Sequence, residues 1–92
     1  MHPNIDVRFL RRAPDPSLAS SVHRWIARFE AMHFEVAGAS IAIESASRGA
    51  MSVCLTLSLT NGQSSAAATS HPDPYVAICD AFRAARRELL AH

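Results

Sequence analysis

From Met51 to Thr60 the chain alternates without interruption, with Met51, Val53, Leu55, Leu57 and Leu59 set against Ser52, Cys54, Thr56, Ser58 and Thr60. A period of two sends the first set to one face of an extended strand and the second to the other, so the chain must build a sheet with one apolar face and one polar face. The polar face carries no charge. Asn61-Gly62 follows at once, a pair suited to a tight turn whose two central residues take positive φ. The chain is therefore expected to double back into a hairpin strand over Gln63 to Thr69. That strand is rich in Ser and Ala, which have little strand propensity, and this suits an edge.

An apolar sheet face has to be covered, and two segments are patterned to cover it. Asp15-Pro16 and Asp73-Pro74 are the same device twice: a capping carboxylate followed by a proline whose missing N–H costs nothing in the first turn of a helix. After the first, Leu18, Val22, Trp25, Ile26, Phe29 and Met32 recur at steps that make one apolar stripe. Ser20, His23, Arg24, Ala27, Arg28 and Ala31 then face outward. After the second, Tyr75, Ile78, Phe82, Ala85 and Leu89 form the stripe of a helix running to about Leu90, flanked by Cys79 and Arg86. Its outer side carries Asp80, Arg83, Ala84, Arg87 and Ala91.

Two further strands complete the set. Ile5, Val7 and Phe9 alternate with Asp6, Arg8 and Leu10, and Ile41 and Ile43 mark a short second strand after an interruption at Gly38. Ser45 to Ala50 reads as a loop. The order is β-α-β-β-β-α, an α+β two-layer fold with a four-stranded sheet and both helices on its one apolar face. Strands one and two should be parallel, joined right-handedly through the first helix, and strands two to four should form an antiparallel meander.

The 92 residues suit a single domain spanning 1–92, and 49% hydrophobic against 18% charged residues favours a folded globule over a disordered chain. All nine basic residues are Arg, and the net charge is only +1. Such a weak overall field means that any surface for nucleic acid must be local. Arg24 and Arg28, four residues apart on one helix, and Arg83 and Arg87, likewise spaced on the other, are the candidates. No basic leader with an apolar run opens the sequence, and no stretch has the length of a membrane span. A cytoplasmic protein with Cys54 and Cys79 as free thiols is expected, and neither a membrane nor DNA is an expected partner.

Catalysis and metal binding find little support. His2, His23, His33, His71 and His92 lack the close spacing of a helical or finger-type zinc site. Cys54 lies mid-strand with no motif around it that would activate a nucleophile. The expectation is a protein that is not an enzyme and needs no cofactor or metal.

The run Asp73-Pro74-Tyr75-Val76-Ala77-Ile78-Cys79-Asp80-Ala81-Phe82-Arg83-Ala84-Ala85-Arg86-Arg87-Glu88-Leu89 resembles the last helix of the ribosome hibernation-promoting factor and ribosome-associated inhibitor family. In that family a cap precedes Tyr-x-Ala-Ile, and a helix bearing Lys and Arg ends in Arg-Gln-Leu. Arg28-Phe29-Glu30-Ala31-Met32 stands where the family has a basic residue, Leu-Glu, a basic residue and an aromatic. The resemblance implies a double-stranded-RNA-binding-like fold that docks on the RNA of the small ribosomal subunit, in the channel for messenger and transfer RNA. There it would inhibit translation in resting cells by occlusion. Arg28 and Arg87 fall on the family's basic positions with Arg24 and Arg83 beside them, whereas Ala31 and Ala84 replace basic residues. Ribosome dimerisation through the C-terminal domain of the family's long form is not expected of a chain ending at His92.

A second reading belongs to another class. The uncharged face of Ser52, Cys54, Thr56, Ser58 and Thr60 does not oppose contact with a second sheet, and the weak fourth strand adds an edge open to pairing, so the alternative is a protein-interaction or self-association module of the same fold that has lost ribosome binding, a homodimer through the sheet face included.

Overall fold

The alternation of Met51–Leu59 becomes the third strand of a four-stranded sheet, and every apolar residue of the set is buried. The computed structural model describes residues 3–91; His2 and His92, expected to hold no metal, lie outside that range. The elements are β1 (Asn4–Leu10), α1 (Pro16–Ala31), β2 (Val36–Ser45), β3 (Met51–Leu59), β4 (Ser64–His71) and α2 (Pro74–Leu90), with a 3-10 turn at Ser47–Gly49. Sheet order is β1-β2-β3-β4. β1 runs parallel to β2, with Val7 beside Ile41, while β2, β3 and β4 form the antiparallel meander.

Both helices lie on the apolar side. Leu18, Val22, Ile26 and Phe29 of α1 and Ile78, Phe82, Ala85 and Leu89 of α2 join Ile41, Ile43, Val53, Leu55, Leu57 and Leu59 in one buried cluster, with Trp25 partly buried against it. Each large apolar side chain so buried contributes about 1.5–3 kcal/mol relative to exposure. The two caps form as expected: Asp15 Oδ1 accepts from the N–H groups of Ser17 and Leu18, and Asp73 Oδ1 accepts from that of Tyr75. His71 Nδ1 in turn accepts from the Asp73 N–H at 2.9 Å, which holds the second cap in place.

Five expectations need correction. Of the Asn61-Gly62 pair only Gly62 takes a positive φ, +93°, so the hairpin turn does not have two left-handed central residues. β2 is ten residues long and passes through Gly38, with a bulge between Val36 and Gly38. The glycine serves close approach, since a Cβ there would stand 3.3 Å from the Asn4 carbonyl oxygen. β4 runs Ser64–His71 rather than Gln63 to Thr69. Met32 and Tyr75, assigned to the buried stripes, are 38% and 44% exposed. Met32 is the C-cap of α1 and Tyr75 lies in the first turn of α2, where helical period continues but the sheet beneath no longer reaches.

The end of α1 explains the short connection to β2. His33 takes φ +70°, the Phe34 N–H bonds the Phe29 carbonyl and the His33 N–H bonds that of Glu30. The Phe29 and Phe34 rings meet at 5.4 Å. This is a Schellman ending with its apolar clasp, built on His where Gly is usual.

Candidate nucleic-acid interface

Trp25 organises the surface where α1 and α2 meet. Its ring stacks on Phe82 at 5.7 Å with 7° between planes, and Phe29 meets Phe82 edge-on at 5.6 Å. The Arg28 guanidinium carbon lies 4.9 Å from the Trp25 ring centroid. Such a cation–π contact contributes about 0.5–1 kcal/mol at an exposed site, enough to bias the direction of Arg28 without burying its charge.

Arg28, Arg83 and Arg86 line a groove of about 400 Å³ between the helices, together with Trp25, Met32 and Phe82. A second hollow of about 280 Å³ is lined by Arg24, Arg28 and Tyr75, with Trp25 and Ser21. Arg28 and Trp25 belong to both, so the two hollows form one continuous tract. Of the four sequence-predicted arginines, Arg24, Arg28 and Arg83 border this tract and Arg87 borders neither hollow. Arg87 is exposed in the last turn of α2, where its charge sits favourably against the helix dipole.

Arg86, in sequence a flank of the buried stripe, stands in the groove. The signal is present in its spacing, four residues beyond Phe82 and three beyond Arg83, which puts it on the α1-facing side of α2. Ala31 also lines the groove, and its short side chain leaves that end open.

Among the described residues no helix arginine has a carboxylate partner. Among the described residues the ion pairs are Arg8–Asp6, Arg11–Glu44 and Arg12–Asp15. The two helices together carry Arg24, Arg28, Arg83, Arg86 and Arg87 against Glu30, Asp80 and Glu88. Glu30 turns away from the groove and lines a separate hollow with Phe34, Glu35 and Val36. The result is a tract of positive charge around a partly buried indole, an arrangement that suits phosphate contact.

The opposite sheet face is shallow, uncharged on β3 and β4 and charged toward β1. Across the four strands its rows read Asn4-Gly38-Ser58-Ser64, Asp6-Ser40-Thr56-Ala66, Arg8-Ala42-Cys54-Ala68 and Leu10-Glu44-Ser52-Ser70. Cys54 is exposed there with alanines on either side, and both cysteines are free. Among the described residues no three His, Cys, Asp or Glu side chains come together as a metal site, and no helix is long and apolar enough to cross a membrane.

No protein-family model matches the sequence, and no curated protein does. Solved structures do match in fold. A ribosomal subunit interface protein from Coxiella burnetii superposes with a TM-score of 0.81 at 15% identity, over 96% of this chain and 94% of that one. The N-terminal domain of Thermus thermophilus Protein Y gives a TM-score of 0.71 at 20% identity, over 96% of this chain and 93% of that one. The β-α-β-β-β-α sandwich built here on the Met51–Leu59 strand is thus the fold of a ribosomal subunit interface protein and of the Protein Y N-terminal domain.

Proposed function

We propose that this chain is a ribosome-associated, non-catalytic cytoplasmic protein that binds the RNA of the small ribosomal subunit through the outer face of α1 and α2 and inhibits translation in resting cells by occlusion. The observation that carries the reading is the tract of arginines around Trp25, none of which has a carboxylate partner among the described residues. Its placement on two adjacent helices gives a row of guanidinium groups suited to phosphate oxygens. The likeness in fold to a protein named for the ribosomal subunit interface supports the same partner. Arg24, Arg28 and Arg83 act as the phosphate contacts, Arg86 joins them in the groove, and Arg87 extends the row.

Co-sedimentation with purified small subunits tests this. Wild type is expected to pellet with subunits at low salt and to be released as salt rises, each phosphate contact adding a little under one unit to the logarithmic salt slope. Arg28→Glu with Arg83→Glu should abolish pelleting while the domain stays folded, stability falling by about 1 kcal/mol through the lost cation–π contact of Arg28 with Trp25. A double variant that pellets as well as wild type removes the helix face from consideration.

The sheet-face module is the weaker reading. Asp6, Arg8 and Glu44 bring charge to its β1 side, which opposes contact with a second sheet.

A further inference from the structure

The two edges of the sheet are built differently. β1 carries Asp6 and Arg8, paired at 2.9 Å, whereas β4 from Ser64 to Ser70 contains no charge, no Pro and no Gly. Charged or interrupted edges resist pairing with another chain, and an edge without either device is open to it.

The hydrogen-bond phase shows which groups β4 offers. The Leu59 N–H bonds the Gln63 carbonyl at 2.8 Å, so Leu59 and Gln63 are a bonded pair at the turn. In an antiparallel ladder bonded pairs alternate, which makes Leu57/Ser65, Leu55/Ala67 and Val53/Thr69 the next ones. The residues between them, Ser64, Ala66, Ala68 and Ser70, therefore direct their N–H and C=O groups outward. Among the described residues none of these eight groups has a backbone partner beyond the edge. Their side chains are Ser and Ala, too short to fold back over them.

The occupant follows from the sequence of the strand. Ser64 to Ser70 reads Ser-Ser-Ala-Ala-Ala-Thr-Ser, nearly the same in both directions about Ala67. An antiparallel neighbour centred on Ala67 sets Ser64 against Ser70, Ala66 against Ala68, and Ser65 against Thr69. This is the self-matching that a two-fold interface requires, where the same patch serves both sides. The outward-bonding residues fall opposite one another in that register, so every free N–H meets a free C=O. On the core side the Ser65 and Thr69 hydroxyls are already engaged, donating to the Ala85 and Ala77 carbonyls of α2 at 3.4 and 2.7 Å. They make no competing demand.

We propose that two copies of this chain associate by antiparallel pairing of their β4 edges about Ala67, forming one continuous eight-stranded sheet. This association is independent of the ribosomal reading, and it leaves the groove between α1 and α2 free in each copy.

Analytical ultracentrifugation of the full chain from micromolar to about 1 mM is the test, with two proline variants. Wild type is expected to show a concentration-dependent dimer. Ala68→Pro removes an outward N–H that the monomer does not use, so it should weaken the dimer at least about tenfold with an unchanged melting midpoint. Ala67→Pro removes an N–H belonging to the β3 ladder and should lower the midpoint, which checks the phase. If Ala68→Pro does not fold, the phase is wrong and the proposal is overturned, unless Ala66→Lys folds and shows the same tenfold loss. A wild-type chain monomeric throughout overturns it, and so does a dimer indifferent to both Ala68→Pro and Ala66→Lys.

Discussion

Two sets of arginines divide the molecule. Arg8, Arg11 and Arg12, on β1 and the turn after it, each have a carboxylate at 2.9 to 3.7 Å. Arg24, Arg28, Arg83, Arg86 and Arg87, on the helices, have none among the described residues. Exposed ion pairs add little stability, typically under about 1 kcal/mol. Their effect is to cancel field. The net charge of +1 thus averages a neutralised sheet corner with a positive helix face, and a whole-chain figure conceals the contrast that decides where an anion would bind.

The largest expected effect removes the floor beneath the free set. Phe82→Ala deletes a fully buried ring that supports both Trp25 and Phe29 and should cost about 3–5 kcal/mol in denaturant unfolding. Subunit binding should fall with it even at temperatures where the variant is folded, because the groove loses its shape. Binding that survives in the folded variant would show that the arginines act without the aromatic floor.

A crossed pair of variants separates the two sets. Arg12 reaches the Met51 sulfur at 3.5 Å and Asp15 at 3.7 Å, and its side chain is only 24% exposed. Arg12→Ala should therefore destabilise by about 1 kcal/mol through lost packing and a loosened cap, with subunit affinity unchanged. Arg86→Ala should do the reverse, moving stability by under about 0.5 kcal/mol and lowering the salt slope by a little under one unit. The contrast fails if both variants lose affinity equally.

Arg48 belongs to neither set and gives the smallest effect. It is exposed in the β2–β3 connection with φ +62°, a conformation that disfavours any residue bearing a Cβ. Arg48→Gly should raise the melting midpoint, by up to about 1 kcal/mol of stability, and leave co-sedimentation as it is. Loss of binding would extend the active surface beyond the helices.

Most of the architecture could be read in advance because its signals are local. Asp15-Pro16 and Asp73-Pro74 act within one turn, Asn61-Gly62 within four residues, and Met51–Leu59 declares its own buried face. What escaped depends on neighbours distant in sequence. Gly38 looks like a break until β1 is seen to pass against it. Met32 and Tyr75 keep the helical period, but period does not say where the sheet stops. His33 in a position usually held by Gly hides the end of α1, and only the later Phe29–Phe34 contact reveals it. At the candidate interface, the outward direction of Arg24, Arg28, Arg83 and Arg87 follows from spacing. That Arg86 shares a groove with Arg28 and Arg83, and that Arg87 stands outside it, depends on how the helices cross.

The crossover through α1 sets an order of events in time. β3 and β4 are joined by a four-residue turn, whereas Asn4 must find Gly38 across the whole of α1, a longer loop to close before any contact compensates its entropy. β1 also has the least to gain, since Ile5, Val7 and Phe9 are only partly buried. We expect the meander and α2 to assemble first, with β1 docking last and opening first. In native-state hydrogen exchange the amides of Val7 and Phe9 should then exchange at a lower opening free energy than those of Leu55 and Leu57. While β1 is away, β2 is a second bare edge carrying Ile41 and Ile43, so the chain stays open to edge pairing until the final step of folding.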